Sequence, residues 1–145
     1  MDTSPRYQGL CAKAEDVQSL WSPRHGDFFL GEKGRVECWV HTVHSQRRVK
    51  QGFGISRLDE KVVCLTPYTW LPRLDQLMEM AQVRGRRFES VSQEFFTWNT
   101  RAYAGGARLP REVFTTLEQV WLAFVMQNRF DKIWTGSAWK LGNTS

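Results

Sequence analysis

The sequence predicts an α+β fold, an antiparallel sheet of hairpins packed against two or three helices. Three observations carry this expectation. A glycine-bounded turn, Gly31-Glu32-Lys33-Gly34, separates two short runs of strand type. Apolar residues recur at three-and-four spacing after Leu71 and again after Pro110, which is the period of a helix face. The order that results is helix, hairpin, strand, helix, strands, helix, hairpin, without the regular alternation that builds a parallel sheet.

Ala14, Val17, Leu20 and Trp21 fall on one side of the stretch from Ala12 to Trp21, with Asp16 and Gln18 opposite, so a short helix is expected there. Ser22-Pro23 would end it, because proline cannot continue the hydrogen-bond ladder. In the second strand of the hairpin, Val36, Cys38 and Val40 share the face expected to be core, and Glu37, Trp39 and His41 share the other. "HSQRRVKQGFGISRLDE" has no clear period and reads as a loop holding at most a short extended piece, before the compact strand "KVVCLT". Then "TWLPRLDQLMEM" marks a strand-to-helix junction. Pro72 suits a first helical position, Leu71, Leu74, Leu77, Met78 and Ala81 form the apolar stripe, and Gly85 is a plausible stop. Arg87 to Ser92 and Glu94 to Tyr103 are expected as strands. Pro110 to Asn128 is the strongest helix, with a stripe of Val113, Phe114, Leu117, Val120, Trp121, Phe124 and Val125. Leu122, Ala123 and Met126 extend its apolar character, so this helix is either central or covered by a partner. Ile133-Trp134 and Trp139-Leu141 flank Thr135-Gly136-Ser137 as a closing hairpin. Leu-Pro-Arg occurs at Leu71 and at Leu109, but the apolar positions after the two copies fall out of step at once, so no repeat follows.

A chain of 145 residues, 41% hydrophobic and 24% charged, is long enough to bury a core as one domain spanning residues 1–145. No apolar run reaches the roughly 18 residues that a membrane span needs. The first residues carry acids and lack the apolar run of a signal peptide, so a cytoplasmic protein with no membrane association is expected. Cys11, Cys38 and Cys64 are odd in number and widely spaced, which fits reduced, buried thiols. The formal charge of +5 permits nucleic-acid contact without requiring it.

Reactive signatures are missing. There is no Gly-x-Ser-x-Gly elbow, no phosphate-binding glycine-lysine loop and no dinucleotide glycine motif, so no cofactor is expected. Cys38 and His41 would point to opposite faces of a strand, and no second ligand pair follows, which argues against a metal site. Asp75 and Glu79 lie one turn apart on the polar face of a helix and read as solvated surface. His25, Asp27, His41 and His44 could serve a hydrolase only if they converged, and Asp27 is better explained as shaping the turn before the first strand. Arg47, Arg48 and Lys50 in the loop, with Arg84, Arg86 and Arg87 after the second helix, form a candidate nucleic-acid surface beside Phe53 and Phe88. Asp59, Glu60, Glu89 and Glu94 would interrupt it. Seven Trp are many for this length; Trp98 and Trp139 are the rings most suited to a ligand groove, because hairpin rings often stand half exposed.

"WLPRLDQLMEM", "VWLAFVMQNRFDKIWTGSAWKL" and "WSPRHGDFFL" together resemble a group of small uncharacterised proteins of bacterial genomes and phage-like elements. The likeness covers the last half of the chain and the Trp21-to-Leu30 segment. Its motifs are structural, so it brings no catalytic or binding residue with it. The sequence thus reads as a small cytoplasmic protein of phage-derived type, non-catalytic, acting through contacts with a protein partner or with itself. The alternatives are a nucleic-acid-binding module and a small hydrolase or ligand-binding protein.

Overall fold

A computed structural model describes residues 1–31, 33–39, 53–55, 62–64, 68–82 and 85–142, with the backbone alone of 53–55 and 62–64. Helices and small antiparallel sheets make it an α+β structure. The chain divides into two compact units, Thr3–Pro72 and Arg73–Ser145 with Met1–Asp2.

In the amino-terminal unit, α1 (Pro5–Ala12) starts where Ser4 caps it, its hydroxyl accepting from the Tyr7 N–H at 3.2 Å, with Pro5 in the first helical turn. A short α2 (Glu15–Gln18) follows. The short helix expected over 12–21 is present as the four-residue α2, and α1, started by Ser4 and Pro5, is a helix that the apolar spacing did not predict. β1 (Phe28–Leu30) lies between β2 (Val36–Cys38) and β5 (Thr69–Leu71), antiparallel to both, with Phe29 opposite Glu37 on one side and Trp70 on the other. The Gln18 side chain completes the β5 edge: it accepts from the Trp70 N–H at 2.8 Å and donates to the Trp70 carbonyl at 3.0 Å. A separate hairpin pairs β3 (Phe53–Ile55) with β4 (Val62–Cys64), so the expected loop does hold an extended piece.

The core face expected for β2 holds only in part: Val36 is half-buried and Glu37 exposed, while Val40 and His41 lie outside the described residues. Cys38 is exposed and Trp39 is buried, beside Phe29 with Trp21 and Tyr68 packed around them. A buried indole removes far more apolar surface from water than a thiol, which favours burial of Trp39 over Cys38. Of the thiols expected to be buried, Cys11 is and Cys38 is not; the side chain of Cys64 lies outside the described residues.

In the carboxy-terminal unit, α3 (Leu74–Ala81) buries Gln76, Leu77, Met80 and Ala81. Its cap is Arg73, whose N–H donates to Gln76 Oε1 at 2.9 Å, so Pro72 precedes the helix instead of opening it. Pro110 does open α5 (Pro110–Val113), where the Leu109 N–H donates to Glu112 Oε2 at 2.7 Å. The two Leu-Pro-Arg copies are thus set two residues apart relative to their helices. The continuous helix expected over 110–128 breaks at Phe114, and α6 (Leu117–Phe130) begins again behind Thr116. Thr116 Oγ1 accepts from the Gln119 N–H, a cap that offers the backbone an alternative to continuing the helix. From Gln119 to Met126 every residue of α6 is buried, which makes it central. β6 (Lys132–Trp134) and β7 (Trp139–Leu141) pair as the expected closing hairpin. No helix among the described residues is long and apolar enough to cross a membrane.

Candidate functional site

The region expected as two strands is one helix, α4 (Phe88–Asn99). Aromatic and β-branched density favours strands, yet Val91, Phe95 and Trp98 stand four and three apart and so fall on one helix face. That inner face is aromatic. Phe95 stacks on Trp121 with centroids 4.1 Å apart and meets Phe124 edge-on at 5.4 Å. Trp98 meets Tyr103 edge-on at 6.0 Å, and its indole N–H donates to Gln127 Oε1 at 2.9 Å.

At about 100° per residue, Phe88 and Phe96 lie on one flank of α4, and Ser90, Gln93, Thr97 and Arg101 on the other side. Phe88 is 49% and Phe96 66% exposed. The opposite side borders an open groove of ≈ 610 Å³, reaching across to Gln127 and Asn128 of α6, with Trp98 and Phe124 beneath. Gln127 also lines a second groove, of ≈ 640 Å³, between the loop at Ala102–Gly105 and the β6–β7 hairpin, where Asp131, Thr135 and Lys140 stand.

The expected ligand groove is only half assembled. Trp98 lines the first groove, but Trp139 lines neither; it is 8% exposed and packs against Trp134 at 5.2 Å. A hairpin ring expected to be half exposed is buried because its cross-strand partner is a second indole. Of the basic set, Arg47, Arg48, Lys50 and Arg84 lie outside the described residues. Arg86 pairs with Glu94 at 2.7 Å, and Arg87 is exposed just before Phe88.

His41 and His44 also lie outside the described residues, and His25 is exposed. Asp27 is 1% exposed, and its Oδ2 accepts from the Trp21 indole N–H at 2.9 Å and the Arg24 N–H at 2.8 Å. It holds the turn before β1, as expected. Asp75 and Glu79 are exposed, and the Arg73 guanidinium, by its hydrogen bonds and charge, lowers the Asp75 carboxyl below its usual value. Among the described residues, no three His, Cys, Asp or Glu gather as metal ligands would.

Several residues of this region were not singled out from the sequence. Arg101, Arg108, Arg111 and Lys140 are exposed and form no ion pair among the described residues, unlike Arg73 and Arg86. Once the segment is read as helical, Phe96, one residue and about 100° past the inward Phe95, is expected outward, whereas Phe88, three residues before Val91, falls by spacing on the inner face and its exposure is a property of the packed chain. Gln127 carried no signal, since an amide inside an apolar stripe is ordinary. No protein-family model, characterised protein or solved structure matches this chain.

Proposed function

We propose that the chain acts by contact with another protein, through the outward flank of α4 that carries Phe88 and Phe96. The observation that carries this reading is the exposure of those two rings. Fully burying a phenylalanine side chain stabilises by about 1.5–3 kcal/mol, and with Phe88 about half and Phe96 two-thirds exposed a part of that gain is forgone. The fold has no need of them, because Val91, Phe95 and Trp98 already anchor the helix. Leu122 and Met126 do not support the reading: both are fully buried, so the apolar breadth of α6 reflects its central place.

The resemblance of the Trp-Leu-Pro helix and Trp hairpin to proteins of phage-like elements makes such an element the proposed setting, in the cytoplasm.

The test is a photo-cross-linking residue placed in turn at positions 88, 96 and 33, in cells of the protein's source. A discrete adduct from 88 and 96, absent at the exposed Lys33 position, is expected; an adduct of twice the chain mass would identify a second copy as the partner. Equal adducts from all three positions, or none from any, would overturn the proposal.

A further inference from the structure

We propose that the glycine-containing loop from Thr100 to Arg111, together with the β6–β7 hairpin, binds the phosphate backbone of single-stranded nucleic acid. The loop is built around Tyr103. Its N–H donates to the Arg108 carbonyl at 2.7 Å, which closes the loop, and its Oη accepts from the Trp134 N–H at 2.8 Å, which ties the loop to the hairpin. These two bonds set Arg101 and Arg108 at the base of the loop and bring the loop beside Lys140 of β7. Ala102, Ala104 and Gly105 line the second groove together with Lys140.

The basic side chains of this region stand outside ion pairs. Arg101, Arg108, Arg111 and Lys140 form no ion pair among the described residues, whereas Arg73 is bound to Asp75, Arg86 to Glu94, and Arg129 donates to the Met80 carbonyl. Glu112, the acid nearest the loop in sequence, is engaged with the Leu109 N–H. Two acids border the grooves. Glu94 is neutralised by Arg86 and also accepts from Asn128, and Asp131 lines the second groove together with Lys140.

Arginine rather than lysine predominates, which suits planar, two-point recognition of phosphate. Arg101 also lines the same groove as Trp98, and the two grooves meet at Gln127. A guanidinium beside an indole, with further cations outside ion pairs on the adjoining loop and hairpin, is the pairing that single strands use, phosphates on the cations and a base against the ring. A folded acidic protein or a lipid surface would use the charge but not the ring.

The experiment measures fluorescence anisotropy of the full chain with a labelled oligothymidylate of about 20 nucleotides across a salt series. Three proteins are compared: wild type, the triple variant Arg101→Ala/Arg108→Ala/Arg111→Ala, and the charge-matched control Lys13→Ala/Lys33→Ala/Arg35→Ala. For single strands each lost phosphate contact lowers the salt slope by about 0.7, so the loop variant should lose about 2 from the slope and about tenfold or more in affinity at low salt. The control should keep the wild-type slope, and circular dichroism should show all three folded alike. No binding by wild type at low salt, or equal losses in both variants, would overturn the proposal. So would vesicles of anionic lipid binding the wild type where the oligonucleotide does not.

Discussion

The Asp2 carboxylate accepts from Thr116 Oγ1 at 2.6 Å and from Gln119 Nε2 at 2.7 Å, at the amino-terminal end of α6. Gln119 is itself 1% exposed and also accepts from the Thr115 N–H and hydroxyl, so this cluster satisfies a buried amide. Removing one partner of a buried, charged hydrogen bond leaves the other unsatisfied. Asp2→Ala is therefore expected to destabilise by about 2–3 kcal/mol, read as a lower denaturant midpoint with unchanged slope. Tyr103 gives a pH-dependent counterpart. Burial pushes its phenol up from 10.0 to about 12, against a smaller opposing effect of the Trp134 N–H. The folded state then holds the proton more tightly than the unfolded one, so this contribution is intact below pH 10 and is lost as pH rises to about 12. Two units correspond to about 2–3 kcal/mol. Tyr103→Phe should flatten the stability loss across that window, while lowering stability at neutral pH by about 1 kcal/mol for the lost hydrogen bond.

Among the elements, α4 separates packing from exposure within a single turn. Phe95 stacks on Trp121, whereas its neighbour Phe96 stands mostly in water. Phe95→Ala is expected to cost about 3–5 kcal/mol, and Phe96→Ala to stay within about 0.5 kcal/mol, both measured by chemical denaturation. How far each element could be read from sequence follows the same physics. The closing hairpin and the turn at Gly31–Gly34 were legible because local turn chemistry and alternation decide them. α4 was not, because Phe, Val and Trp serve either period and only the partner rings Trp121 and Phe124 settle which one is used. The break before α6 was hidden because Phe114 and Leu117 fit an unbroken stripe while Thr116 acts as a cap. The candidate surfaces were less legible still, since exposure of Phe96 and the lack of an ion pair on Arg101 are properties of the packed chain.

For the molecule as a whole, the formal charge is +5, and much of it lies outside the described residues, on Arg47, Arg48, Lys50 and Arg84; among the described residues, Arg101, Arg108, Arg111 and Lys140 around the loop after α4 form no ion pair. The same helix presents phenylalanines on one flank and borders the polar groove on the other, so one element serves both proposed surfaces. The two are separable by experiment, because one is apolar and the other falls with salt. The most direct measurement for the contact role compares thermal melting and cross-linking of the wild type and the double variant Phe88→Ser/Phe96→Ser, with the photoreactive residue at position 89 in both. A melting temperature that stays within about 2 °C, together with loss of the adduct, is the predicted result, since the two rings contribute to contact and not to the fold. An adduct that survives the double substitution would contradict it.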